Sequence, residues 1–73
     1  MAHPFSIGQF AKLTGLTPRA LRIYAKEGLL QPEVINPETG YRYYSQAQSL
    51  VAERIRLLRS IDMPLEDIRE VLS

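Results

Sequence analysis

The apolar residues of this chain recur with the spacing of an α-helix in four separate stretches. The stretches cover about residues 7–13, 18–27, 46–60 and 65–72. Between the second and the third stretch the pattern changes to a β-branched pair, Val34-Ile35, and an aromatic run, Tyr41–Tyr44, which turn-forming residues separate. We therefore expect the order helix, helix, hairpin, helix, helix, which is a mainly α fold with a small β-hairpin.

The first two helices have clear start and stop signals. Ser6 and Gln9 have the spacing of a capping box, and Gly15 is typical of a helix end. Thr17 then supplies an N-cap hydroxyl, and Pro18 suits the first position of a second helix. Two short helices joined by a tight, glycine-containing turn predict a helix-turn-helix unit.

The third and fourth helices also have start signals. Ser45 and Gln48 repeat the capping-box spacing, which places the start of the third helix near residue 46. Pro64 separates this helix from the fourth, because proline interrupts a helix but suits the start of a new one.

The second strand of the hairpin carries three of the four tyrosines of the chain. Strand alternation places Tyr41 and Tyr43 on one face and Arg42 and Tyr44 on the other. Tyr44 directly precedes the start of the third helix, so we expect it to pack in the core. Taken alone, the strand favours a hairpin that covers a small core. If the helix-turn-helix before it is basic, the strand becomes the return strand of a wing, and we then expect Tyr41 and Arg42, beside the Gly40 turn, to contact a partner.

The second helix has two unlike faces. One face is basic around a single apolar residue and consists of Arg19, Arg22, Ile23 and Lys26. The other face consists of Leu21, Tyr24, Ala25 and Gly28, with Tyr24 at the border between the two. Cations can reach phosphates or guanine edges, an apolar side chain can contact a thymine methyl, and the N–H groups after Thr17 can bind a phosphate. The pattern favours a DNA-recognition helix, and a solvated basic face is the alternative.

The charge is distributed unevenly along the chain. The 73 residues have a net charge of only +1, but residues 12–26 hold four bases and no acid, while residues 62–70 hold four acids and one base. One end of the molecule can therefore face a polyanion. The absence of cysteine excludes disulfides and thiolate metal ligands. The chain has neither the start of a secretory signal nor the roughly 18 apolar residues of a membrane span, so we expect a soluble, cytoplasmic protein without a membrane partner.

Four pieces of the sequence, in register and without a large gap, resemble the MerR-type winged-helix transcription regulators. They span nearly all of residues 5–72 and read SIGQFAKLTGLTPRALRIY, EGLLQP, NPETGYRYYS and RIRLLRSIDMPLEDIREVL. NPETGYRYYS and MPLED most resemble the multidrug-responsive branch. The resemblance implies a winged helix-turn-helix domain over residues 1–73, with the helix-turn-helix and the wing in residues 5–44 and a supporting helix pair in residues 45–73. Dimerising relatives continue into a long helix and an effector domain, which we do not expect within this chain.

The resemblance also implies how such a domain works. The second helix enters the major groove, and the wing lies along the neighbouring backbone and minor groove. The positions that match family positions on the recognition helix, on the wing and at a phosphate contact are Arg19, Arg22, Tyr24, Tyr41, Arg42 and Arg59. With the basic helix face added, the expected DNA-binding residues are Thr17, Arg19, Arg22, Ile23, Tyr24, Lys26, Tyr41, Arg42 and Arg59. Two copies would bind double-stranded promoter DNA, distort an overlong spacer and present it to RNA polymerase.

The sequence departs from the family pattern at two places. After the arginine of the second helix, relatives usually have two aromatic residues and an acid, where this chain has Ile23-Tyr24-Ala25. A polar contact at Ile23 should therefore be absent. Pro64 stands where many relatives place a serine N-cap, and Asp67 still favours the positive end of the fourth helix, so we expect that helix to have a weaker start.

Other functions are less well supported by the residues. The single histidine, His3, lies near the terminus, and each of three glycines lies at a turn, so we expect neither an enzyme nor a cofactor. Glu66, Asp67 and Glu70 favour a solvated helix face over a metal site. The alternative function is a small protein–protein interaction module that uses the apolar face of residues 65–72.

Overall fold

The structure is a computed structural model that describes residues 4–73, so His3 lies outside the described residues. Residues 4–73 form four helices and one small three-stranded antiparallel sheet. The elements are β1 (Phe5–Ser6), α1 (Ile7–Thr14), α2 (Pro18–Lys26), β2 (Val34–Ile35), β3 (Arg42–Tyr44), α3 (Gln48–Ser60) and α4 (Leu65–Leu72). The predicted order of helices and hairpin is confirmed, and β1 is an additional strand that the sequence pattern did not indicate.

The start signals of α1 and α2 are confirmed. The Gln9 N–H donates to Ser6 Oγ at 3.2 Å, and the Ser6 N–H donates to Gln9 Oε1 at 3.0 Å, which completes a capping box. Gly15 ends α1 in the left-handed conformation, with φ 76°. Thr17 Oγ1 then accepts the Ala20 N–H at 3.0 Å, which caps α2 and fixes its first turn.

The predicted start of α3 near residue 46 is wrong by two residues. The helix begins at Gln48, and within the described range no side-chain hydrogen bond caps it. The Ser45 N–H donates to Gln48 Oε1 at 2.9 Å, so half of the expected capping box forms. Gln48 Nε2 donates to the Gln31 carbonyl at 2.6 Å, so the Gln48 side chain is held by a loop from outside the helix. At Pro64 the start of α4 also has no side-chain cap among the described residues, as expected.

β3 is the central strand of the sheet, whose order is β1-β3-β2. Tyr43 lies opposite Ser6 on one side and opposite Val34 on the other. Because β3 pairs on both sides, the hairpin is attached directly to the chain segment that begins α1. Ser6 therefore belongs to the sheet and also caps the helix.

The core lies between the helices and the inner face of β3. Its buried side chains are Phe10, Ala11, Leu21, Tyr24, Leu30, Tyr44, Ala52, Ile55 and Ile68. Tyr44 is fully buried and stacks on Phe10 with ring centroids 4.5 Å apart and an interplanar angle of 6°. The packing role expected for Tyr44 is therefore confirmed.

The apolar face of residues 65–72 packs mostly inward. Ile68 is fully buried, and Leu65 and Leu72 pack against the core, while Val71 remains 59% exposed. Since most of this face already completes the core, the packing does not favour the alternative interaction module.

Candidate nucleic-acid interface

The two faces of α2 are separated as predicted. Leu21 is fully buried and Ala25 is 9% exposed, so this side of the helix completes the core. On the other side Arg19, Arg22 and Lys26 are exposed, and Ile23 between them is 41% exposed. The core therefore holds α2 so that its three cations and one isoleucine point outward together.

Tyr24 lies on the core side of α2 rather than at the border. Its side chain is 7% exposed and belongs to the core cluster. Its carbonyl accepts the N–H groups of Leu29 at 2.8 Å and Leu30 at 3.3 Å, which turn the chain after the helix. The structure gives Tyr24 a packing role, and its contact with DNA stays a prediction.

The N-terminus of α2 offers fewer free N–H groups than the sequence suggests. Pro18 has no N–H, and the Ala20 N–H is already bound by Thr17 Oγ1. Among the described residues this leaves the Arg19 N–H as the first-turn donor without a partner, beside the exposed Arg19 side chain. Any phosphate at this end would therefore meet one backbone donor and one guanidinium group.

The C-terminal end of α2 is fastened to α4. Arg69 Nη2 donates to the Glu27 carbonyl, directly after α2, and lies 3.8 Å from Glu27 Oε2. Both side chains are about half exposed, so their charge attraction is weak and the carbonyl contact matters more. This contact holds the basic helix at the end opposite to its cap.

The wing turn between β2 and β3 is organised by Asn36. Asn36 Oδ1 accepts the N–H groups of Glu38 at 2.8 Å and Thr39 at 3.2 Å, and the Asn36 carbonyl accepts the Gly40 N–H at 2.8 Å. Gly40 has φ 75°, a conformation that favours glycine. The turn presents Tyr41, which is 66% exposed, and leads into the half-buried Arg42.

Two neighbouring concave surfaces separate α2 from the wing. One is lined by Ser6, Ile7, Gly8, Arg22, Gly40, Tyr41, Arg42 and Tyr43. The other is lined by Arg22, Ala25, Lys26, Gln31, Pro32, Ile35 and Arg42. Arg22 and Arg42 line both, so we call the combined surface the helix–wing groove and regard these two arginines as its centre. The fold thus brings a residue of the predicted recognition helix and one of the predicted wing to the same place.

The pKa of the Tyr44 hydroxyl is affected by two charges of the helix–wing groove. Burial raises the pKa of Tyr44 above its usual 10.0, and the charges of Arg42 and Arg22, in that order, act in the opposite direction. The hydroxyl is buried and has no hydrogen-bond partner within residues 4–73. Both arginines therefore act electrostatically on a polar atom of the core.

Arg59 is placed apart from the helix–wing groove. It is exposed in the last turn of α3, where its Nη1 donates to the Met63 carbonyl at 2.7 Å. Neither groove surface within the described residues includes it. Its predicted phosphate contact would lie at a separate point of the surface and stays a prediction.

Several groove residues were not predicted from the sequence. Ser6 and Gly8 reach the groove because β1 pairs with β3, and Gln31 reaches it because Gln48 holds the loop after α2. Each depends on a contact between distant parts of the chain. The one local signal was the capping role of Ser6, which marks it as structural rather than as part of a surface.

Residues 4–73 contain no group of three or more His, Cys, Asp or Glu side chains that could hold a metal ion. In the same range, every helix is too short or too polar to cross a membrane.

Known proteins share both the sequence pattern and the fold. Residues 5–73 match the family model described as MerR HTH family regulatory protein. The Multidrug-efflux transporter 1 regulator of Bacillus subtilis (strain 168) is 38% identical over 66 residues, which are 90% of this chain and 24% of that protein. The crystal structure of MtaN, the N-terminus of the Bacillus subtilis multidrug transporter activator, has a TM-score of 0.82 and 30% identity over 94% of this chain and 64% of that one.

A further similar structure contains DNA. HiNmlR, described as a MerR family regulator lacking the sensor domain and bound to promoter DNA, has a TM-score of 0.75 and 29% identity over 94% of this chain and 54% of that one. The chain thus spans between 24% and 64% of the length of these three proteins. With the exposed basic helix and the wing beside it, these likenesses lead to one conclusion: the chain belongs to the MerR HTH family of regulatory proteins and has its winged helix-turn-helix fold.

Proposed function

We propose that this chain binds double-stranded promoter DNA as the DNA-binding domain of a transcription regulator, with α2 in the major groove and the wing on the adjacent backbone. The observation that supports this most directly is the meeting of Arg22 and Arg42 in the helix–wing groove. A single basic helix can be merely solvated. A basic helix and a wing arginine that line one concave surface match the shape and charge of a phosphate backbone.

The residues divide into two proposed roles. Arg19, Arg42 and Arg59 would contact phosphates and fix the register of the domain, with the Arg19 N–H as an additional donor. Arg22 and Ile23 would meet base edges, Arg22 by hydrogen bonds and Ile23 by apolar contact. Lys26 lines the groove beside Arg22 and would add to its positive potential. The exposed Tyr41 would add to the contact area of the wing.

For the whole protein we propose the behaviour of the family. Two copies would bind a pseudo-palindromic promoter spacer in the cytoplasm, distort it and act on RNA polymerase at that promoter. The chain would be a regulator and not an enzyme. HiNmlR on promoter DNA and the multidrug-efflux regulator of Bacillus subtilis support this proposal as relatives.

A salt titration of DNA affinity tests the proposal. Binding of the chain to a labelled duplex of random sequence should weaken linearly with the logarithm of salt concentration, with a slope of about −0.9 per phosphate contact. Arg42→Ala should weaken binding to every sequence alike and reduce the slope by about one phosphate contact. An affinity that did not depend on salt, together with a silent Arg42→Ala variant, would refute DNA binding.

Arg54→Ala is a matched control. Arg54 is exposed on α3, where it lies beside Leu57 and Val71 and away from the helix–wing groove. This variant removes the same charge as Arg42→Ala and should leave the salt slope unchanged. If both variants reduced the slope equally, net charge rather than the groove would govern binding.

Base reading is tested with a duplex library. Arg22→Ala should change which sequences are enriched from a randomised library, because a bidentate arginine–guanine contact is worth about 1–3 kcal/mol of discrimination. Arg42→Ala should leave the enriched sequences unchanged. A uniform loss of affinity in Arg22→Ala would place Arg22 among the phosphate contacts instead.

A further inference from the structure

Packing explains the ring of Tyr44 but leaves its hydroxyl without a function. The ring is fully buried and stacked on Phe10. A phenylalanine would stack in the same way without taking a polar atom out of water. The buried hydroxyl has no partner within the described chain. Its burial therefore destabilises the fold of the DNA-free protein.

Two arginines of the helix–wing groove, Arg42 and Arg22, are candidate donors to this hydroxyl. Arg42 and Tyr44 are two residues apart on β3 and therefore lie on the same face of the strand. Arg42 is half-buried and lines both surfaces of the groove. The charge of Arg42 acts on the pKa of Tyr44 more strongly than that of Arg22 does.

An arginine can donate hydrogen bonds to the hydroxyl and to DNA at the same time. Its guanidinium group has five N–H donors, whereas a phenol oxygen accepts one or two of them. The remaining donors can face a phosphate. Once DNA excludes water from the groove, a hydrogen bond from the guanidinium group to the hydroxyl is stronger than it would be in a groove filled with water.

We propose that Tyr44 is a positioning residue for DNA binding, whose hydroxyl accepts a hydrogen bond from Arg42 when a phosphate occupies the helix–wing groove. This inference rests on the proposed function. The hydroxyl is inaccessible to solvent, so it acts through Arg42 and not by direct contact with the phosphate. Because this hydrogen bond forms only in the bound state, it adds to the free energy of binding and holds Arg42 against the phosphate.

Tyr44→Phe separates the positioning role from a packing role. The variant should melt at the same temperature as the wild type or higher, because it removes a buried polar atom without a partner. Its affinity for a random-sequence duplex at low salt should fall about tenfold, the size of one charge-assisted hydrogen bond. If Tyr44 acted through packing alone, phenylalanine would replace it fully, and the affinity of the folded protein for DNA would not change.

A double-mutant cycle with Arg42→Ala shows whether the effect passes through Arg42. In the Arg42→Ala background, Tyr44→Phe should change the affinity less than about twofold, because the donor is already missing. Equal losses in both backgrounds would overturn the inference, as would a Tyr44→Phe variant with wild-type affinity or with a lower melting temperature. If the wild type failed to bind DNA in a salt-dependent way, the proposed function would fail as well. If the wild type binds and Arg42→Ala weakens it, failure of the cycle concerns Tyr44 alone.

Discussion

Two serine–glutamine pairs with identical spacing provide a sharp test of the structure. Ser6 Oγ accepts the Gln9 N–H and completes a capping box at α1. Ser45 stands in the same position relative to Gln48, but the hydrogen bond that forms there runs from the Ser45 backbone to Gln48 Oε1 and does not use the hydroxyl. Ser6→Ala should therefore be destabilising, while Ser45→Ala should be nearly neutral.

The expected loss of stability in each variant follows from these hydrogen bonds. Loss of an N-cap hydroxyl costs about 1 kcal/mol, which corresponds to a melting temperature roughly 4–8 °C lower in a domain of this size. Ser45→Ala loses no such bond and should stay within about 0.5 kcal/mol of the wild type. Gln48→Ala removes two hydrogen bonds, to the Ser45 N–H and the Gln31 carbonyl, and should cost about 1–2 kcal/mol.

Thermal unfolding followed by far-UV circular dichroism measures all three variants under the same conditions. Thr17→Ala serves as a second cap removal with an expected loss similar to that of Ser6→Ala, and Thr17→Ser restores a hydroxyl at the same position. If Ser45→Ala proved as destabilising as Ser6→Ala, the geometry at the start of α3 would be wrong and the capping box expected from the sequence would be right.

Two further predictions concern stability. Gly15→Ala should lower the free energy of unfolding by about 1–2 kcal/mol, because φ is 76° and the new Cβ would lie 3.4 Å from Arg56 Cδ. Gly8→Ala, in the first turn of α1 with open space around the new Cβ, should raise it by about 0.5 kcal/mol; urea unfolding distinguishes the two signs. The raised pKa of Tyr44 contributes stability that is fully present below pH 10.0, the usual pKa in the unfolded chain, and is lost as the pH rises through the folded-state value. Tyr44→Phe should therefore lose less stability than the wild type in melts above that pH, and an equal loss would contradict the burial of the hydroxyl.

Local signals in the sequence were sufficient to predict the helix-turn-helix. The Ser6–Gln9 box, the Thr17 cap and the left-handed Gly15 involve residues no more than four positions apart, so their hydrogen bonds can be read from spacing. The exposed basic face of α2 follows in the same way from helical periodicity. These features were predicted because their free energy comes from neighbours along the chain.

Contacts between distant parts of the chain were not predictable in this way. β1 has two residues, too few to show alternation, and exists because Tyr43 and Tyr44 pair with it. At the start of α3, Gln48 bonds the Gln31 carbonyl 17 residues earlier in the chain, a contact that the spacing of Ser45 and Gln48 could not indicate. Periodicity placed Tyr24 at a border between faces, but its burial depends on the other residues of the core cluster, which the spacing along one helix does not indicate.

The pairing of β3 on both sides has a consequence for the DNA. Ser6 belongs to β1 and caps α1, so the root of the wing and the helix-turn-helix form one body with little freedom to adjust their separation. A duplex that contacts both α2 and the wing must then bend to fit them, at a cost on the order of 1–6 kcal/mol for a smooth bend. The bending free energy would be lower for sites with easily deformed pyrimidine–purine steps. The small sheet would thus make the domain selective for pliable sequences, including at base pairs that no side chain touches.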